Sequence, residues 1–129
     1  MRKLLFGASV GLLAIGRAWA ADSQPYNAAA FASAHATDKP ILVVIHAPWC
    51  PICAAQAPAP AIDRLEHSAA LGNLAVFRVD FDSEKDVVRA FGAQKQSTLI
   101  VFHGKTENER STGVTGPTAI EALLLKSKA

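Results

Sequence analysis

Apolar residues run without a break from Ile41 to Ile45, and again through Leu99 to Phe102 after Thr98. Short continuous runs rich in β-branched residues and closed by turn residues mark strands buried on both faces. Leu74 to Val79 predicts a third strand. The more polar segment from about Glu107 to Thr112, entered through the Gly104-Lys105 turn, predicts a fourth, placed at the sheet edge where charge is protective. Between these strands the spacing becomes helical. Asn27 is a good cap for Ala28 to Ala36, whose Phe31 and either Ala34 or His35 face inward. Pro51 stands where a helix can start without losing a hydrogen bond. That helix runs through Ala54-Ala55-Gln56-Ala57 towards Asp63-Arg64-Leu65-Glu66, with Pro58 and Pro60 kinking it. Asp82 or Ser83 caps a helix with Val87, Val88 and Phe91 on one face and Gly92 as its stop. Pro117 opens a last helix with Ile120, Leu123 and Leu124 inward. This order predicts one α/β domain, a central four-stranded mixed β-sheet flanked by helices.

The N-terminus has a different character. Arg2 and Lys3 precede an uncharged apolar run from Leu4 to Ile15, and Ala18-Trp19-Ala20 has small residues at both positions of a cleavage site. That is the layout of a secretory signal peptide, and the run is short for a membrane span. The division expected is therefore residues 1–20 as signal peptide and 21–129 as the domain, with a periplasmic or secreted product and no membrane insertion after cleavage. Arg17 lies close to the cleavage site, and an uncleaved anchor is the competing reading. The whole chain carries 13 Lys and Arg against 11 Asp and Glu. Without Arg2, Lys3 and Arg17, 10 basic residues face 11 acidic ones, so the apparent basicity belongs to the leader. Charge near zero with no basic stripe excludes nucleic acid as an expected partner. Half the residues are hydrophobic, which excludes a disordered chain.

The candidate chemistry is Cys50-Pro51-Ile52-Cys53, at the junction of a buried strand and a helix. A spacing of i, i+3 on a helix puts both thiols on one face, with Cα atoms about 5–6 Å apart, which suits a disulfide. Cys50 at the helix N-terminus is expected to be exposed and acidic, because the dipole and free N–H groups favour a thiolate. Cys53 lies one turn inside, shielded. An acidic thiol with a second behind it suits attack on a disulfide followed by internal resolution. Two competing readings stand beside this one. A structural bridge over so short a loop stabilises by only about 2 kcal/mol, against more than about 4 for a long loop. A metal site would need more ligands, and His35, His46, His67 and His103 form no tight set with the cysteines.

Ala47-Pro48-Trp49-Cys50-Pro51-Ile52-Cys53 after the Ile41 to Ile45 strand resembles the active-site strand and turn of the thioredoxin family. Pro58 falls where that family has its helix-kinking proline, and Val79-Asp80-Phe81-Asp82 resembles the end of its central strand. Thr98 to Phe102, the Gly104 turn and Gly113 resemble its final hairpin. The resemblance covers about Ile41 to the C-terminus; the family's first strand has no clear counterpart. It implies a thioredoxin-like fold and a thiol:disulfide oxidoreductase. Cys50 would attack and Cys53 resolve, with Trp49 as a groove wall and the Ser97-Thr98 segment meeting the substrate backbone. No organic or metal cofactor is implied. The partners implied are exported proteins carrying disulfides or dithiols and a membrane redox partner. A monomer is expected, working as a reductant rather than an oxidant.

Three positions depart from the family pattern. Val44 stands in place of a buried Asp that moves protons for the inner thiol. His46, two residues on, is a candidate to modulate the site in its stead, as are Pro51 and Ile52 between the thiols. Arg78 is the nearest basic residue expected beneath the site, with an ordinary surface role as the competing reading. Ser97 stands where the family has a cis-proline. A cis bond before Ser would cost about 3 kcal/mol, so a trans bond is expected. The Ser97 hydroxyl is a candidate donor to the Cys50 thiolate, and a plain spacer is the competing reading. The losses also keep open a non-catalytic module of the same fold, assembling metal sites or holding clients.

Overall fold

The computed structural model describes residues 24–56, 61, 71 and 73–128. The expected leader and the kinked continuation of the helix after Gln56 lie outside them. Five strands are seen: β1 (Gln24–Pro25), β2 (Pro40–His46), β3 (Ala75–Asp80), β4 (Thr98–His103) and β5 (Thr106–Thr112). The described helices are α1 (Ala28–His35), α2 (Pro51–Gln56), α3 (Lys85–Ala90) and α4 (Pro117–Leu125). The strands form one mixed sheet in the order β1-β3-β2-β4-β5. β1 and β2 run parallel to β3, while β4 runs antiparallel to both β2 and β5.

The fold class is as expected, but the sheet has five strands rather than four. Gln24 and Pro25 pair with Phe77 and Arg78. Two exposed residues carry no hydrophobic alternation, so only pairing reveals them as a strand.

The unbroken apolar run of β2 follows from burial on both faces. Ile41, Val43 and Ile45 pack with Phe77, Val79, Ile100 and Phe102 on one side, against α1 and α3. Leu42 and Val44 pack with Val76, Leu99 and Val101 on the other, against Ile120, Leu123 and Leu124 of α4. On the α1 side, the Phe31 ring meets Phe77, Phe91 and Phe102 edge-on, at centroid distances of 5.5, 5.2 and 5.9 Å. Such edge-to-face pairs add to plain area burial. β5 is exposed along nearly its whole length, as its polar sequence predicts. Its register slips between Val101 and Phe102, leaving Asn108 as the extra residue. The bulge turns the Asn108 amide onto the Lys126 carbonyl at 2.7 Å, where it caps the end of α4.

Two local expectations fare differently. Asn27 caps α1, its Oδ1 accepting from the Ala30 N–H at 2.9 Å. Neither Asp82 nor Ser83 caps α3, which starts at Lys85 after Glu84. The Asp80 carboxylate takes the N–H groups of both Asp82 and Ser83 at 2.9 Å instead, folding them into a turn before the helix begins.

Candidate active site

β2 delivers the chain to the site. Its last residue, His46, is followed by the fully buried Ala47, whose carbonyl accepts from the Cys50 N–H at 3.1 Å. That turn lets α2 start with Pro51 at its first position. Cys50 and Cys53 are free thiols one helical turn apart, packed with Ala47 and Phe81. The Cys53 N–H points at Cys50 Sγ, 3.2 Å away.

The two thiols are driven in opposite directions. Cys50 is lowered from the ordinary thiol value, chiefly because the Cys53 thiol hydrogen-bonds its sulfur. The N–H groups of Cys53 and Ile52 and the Gln96 side chain add to this, against an opposing effect of burial. Cys53 is raised, chiefly by burial and then by its bond to Cys50; N–H groups of Ala47 and Ser97 partly offset this. Acidic outer thiol and resistant inner thiol agree with the asymmetry expected from the sequence. The expected exposure of Cys50 does not. Only 4% of the residue is accessible, because the chain folds Ala47 and Phe81 against the pair. The exposed apolar groups are its neighbours Trp49, at 59%, and Ile52, at 48%.

Trp49 does not lie free on the surface. Its Nε1 donates to Asp82 Oδ2 at 2.7 Å, tying the residue before Cys50 to the turn after β3. His46 is half-buried, opposite Asp80 in the β2–β3 register. Asp80 is held below the usual carboxylate range, first by the Ser83 N–H and also by that of Asp82, with the charge of His46 adding to them. Val44 is buried among aliphatic side chains and brings no proton carrier beneath the thiols. Arg78 is exposed on β3.

The segment before β4 departs most from expectation. The Gln96–Ser97 bond is trans, as expected, but Ser97 adopts φ +61°, the left-handed region that disfavours ordinary side chains. It is buried, and its N–H donates to the Ile45 carbonyl at 2.8 Å. No hydrogen bond joins its hydroxyl to Cys50. The side chain of this segment that favours the Cys50 thiolate is that of its neighbour Gln96, while the Ser97 backbone slightly favours that of Cys53. The Thr98 side chain is turned inward, whereas the contact expected of this segment with substrate is one of backbone. Thr98 Oγ1 donates to the Lys95 carbonyl at 2.9 Å and lies 3.0 Å from Thr112 Oγ1, so the fold itself occupies the hydroxyl.

Sequence reasoning missed three residues here: Gln56, Gln96 and Asp82 as a partner of Trp49. Gln56 lies three residues beyond Cys53, so helical spacing alone puts it on the same inward face. The other two depend on contacts distant along the chain. Among the described residues, no group of three or more His, Cys, Asp or Glu is assembled that could hold a metal.

A buried dithiol at a strand-to-helix junction, under a mixed sheet with helices on both faces, defines a redox-type α/β domain. The thioredoxin family profile matches residues 22–126, and the chain belongs to that family. It is 30% identical over 91 residues to the chloroplastic M-type thioredoxin of Zea mays, matching 70% of this chain and 53% of that protein. The chain thus spans about half the length of that relative. It is 29% identical over 90 residues to thioredoxin 1 of Nostoc, covering 70% of this chain and 81% of that one. The crystal structure of Trxlp from Edwardsiella tarda superposes with a TM-score of 0.70 at 37% identity, covering 80% of this chain and 98% of that chain.

Proposed function

We propose that this chain is an exported thiol:disulfide oxidoreductase that works as a reductant of disulfides in exported proteins. The Cys50 thiolate attacks one sulfur of a client disulfide, forming a mixed disulfide and releasing a client thiolate. Cys53 then loses its proton and attacks the Cys50 sulfur, releasing the second thiolate. The client gains two electrons and the protein is left with a Cys50–Cys53 disulfide. An external dithiol, supplied by a membrane redox partner, returns the electrons.

The direction rests on what stabilises Cys50. The largest influence is a neutral thiol, followed by N–H groups and an amide, with no cation among them. Strong oxidants of this type depend on a heavily stabilised thiolate. The lack of a cation among these influences, and of a polar side chain in Pro51-Ile52 between the thiols, supports the reducing end of the range. With a small dithiol as electron source, the protein is expected to accelerate reduction of insulin disulfides well beyond the dithiol alone. Equilibration with glutathione should place the couple nearer to about −270 mV than to about −120 mV. Insulin reduction no faster than with the dithiol alone would sink the oxidoreductase reading. A potential near the upper figure would reverse only the direction.

Export rests on Arg2, Lys3, the Leu4 to Ile15 run and Ala18-Trp19-Ala20. The mature protein is expected to begin at Ala21. N-terminal sequencing that finds Met1 on membrane-bound material would contradict this.

A further inference from the structure

Gln56 is a primary amide buried to 1% exposure inside an otherwise apolar α2 face. Its Nε2 donates to the Ser97 carbonyl at 2.8 Å, across 41 residues of chain. Its Oε1 is buried with no partner among the described residues. A buried acceptor left unpaired is costly and calls for a reason. Hydrogen-bonding need at Ser97 does not supply one, because the same carbonyl already receives the Gly113 N–H at 3.0 Å. An apolar side chain of similar length would fill the space and leave nothing orphaned.

The reason lies in the backbone that Gln56 holds. Ser97 sits at φ +61°, a conformation that persists only when its surroundings over-determine it. Three bonds do so: Ser97 N–H to Ile45, and Gly113 N–H and Gln56 Nε2 to the Ser97 carbonyl. Of these, the Gln56 bond is the one that runs to α2, the helix that carries Cys53 and begins directly after Cys50. We propose that Gln56 is a positioning residue that locks the left-handed Ser97 segment to the dithiol helix and so holds in register the backbone edge that a client protein meets. This rests on the oxidoreductase reading above. In that reading the unpaired Oε1 is a stability cost accepted for placement of the edge, as strained sites often show.

The test compares two disulfides on wild type and Gln56→Met, with Gln56→Leu as a second variant. Insulin offers a peptide backbone to the Ser97 segment; cystamine has none. Gln56→Met is expected to raise KM for insulin on the order of fivefold, the worth of one neutral hydrogen bond, with kcat little changed. Reduction of cystamine should stay within about twofold, and Tm should be equal or higher because the orphan acceptor is gone. A purely structural amide predicts the reverse: lower Tm and equal losses on both substrates. That result, or insulin kinetics identical to wild type in both variants, overturns the role of Gln56 and leaves the oxidoreductase reading standing. A wild type inert towards both disulfides removes the reading and this inference together.

Discussion

Cys53→Ser is expected to accumulate a mixed disulfide with client proteins through Cys50, and Cys50→Ser almost none. Insulin turnover should fall in both by on the order of 10³-fold or more, as when a nucleophile is removed from other enzymes. The asymmetry follows from the two environments. Cys50 is the thiol whose charged form is favoured, by the Cys53 thiol first and by N–H groups and Gln96 after it. Cys53 is held protonated, chiefly by burial. A thiolate attacks and a thiol does not, so Cys50 starts the exchange. In Cys53→Ser a hydroxyl can still donate to the Cys50 sulfur but cannot displace the bound client. Trapping should quicken as pH rises through the Cys50 pKa and then level off, at lower pH than for an unperturbed thiol. The same sign governs stability of the reduced form. A depressed acid stabilises the fold above its unfolded pKa, and that contribution is lost as pH falls through its folded pKa. Gel separation of trapped adducts without reductant, across a pH series, reads the outcome. Equal trapping by both variants would overturn the assigned roles.

How much of this was legible in the sequence depends on whether a residue's role leaves a local mark. β2 and β4 were readable because burial on both faces demands an unbroken apolar run, and Ile41 to Ile45 and Leu99 to Phe102 supply it. The dithiol helix was readable from Pro51 and the Cys spacing. β1 was not, since Gln24 and Pro25 are a strand only by pairing with β3. The accessibility of Cys50 was misjudged for a similar reason. A helix N-terminus is open in isolation, but Phe81, 31 positions away along the chain, packs against the pair. Trp49 and Asp82 show no sign of their bond in either local sequence. Gln56 reads as an ordinary polar helix residue until its i, i+3 relation to Cys53 is combined with the burial of that face. Ser97 carries no sign of a left-handed backbone, because glycine is the residue that usually advertises one.

That backbone decides the second large effect. Ser97→Pro would restore the residue type that the thioredoxin resemblance leads one to expect, yet it is expected to destabilise this chain. Proline fixes φ near −65°, while Ser97 stands at +61°, so the ring cannot enter the existing conformation. It also removes the N–H that donates to the Ile45 carbonyl at 2.8 Å. Ile45 is fully buried, and leaving its acceptor without that partner costs about 1–3 kcal/mol. Moving the segment out of its left-handed turn would also disturb the Gln56 and Gly113 bonds to the Ser97 carbonyl. Together these give a loss of about 2–5 kcal/mol, a large share of the roughly 5–15 kcal/mol that holds a domain together. At about 4 °C per kcal/mol for a domain near this size, Tm should fall by roughly 8–20 °C. Ser97→Gly isolates the backbone component. It keeps the N–H and removes the Cβ penalty of the left-handed turn, about 1–2 kcal/mol, while adding about 0.5–1 kcal/mol of unfolded-state entropy. It should therefore be neutral or more stable by up to about 1.5 kcal/mol. Thermal unfolding of the reduced proteins separates the two. If Ser97→Pro melts with wild type, the segment can adopt the proline backbone at no cost, and the left-handed turn does not constrain the site.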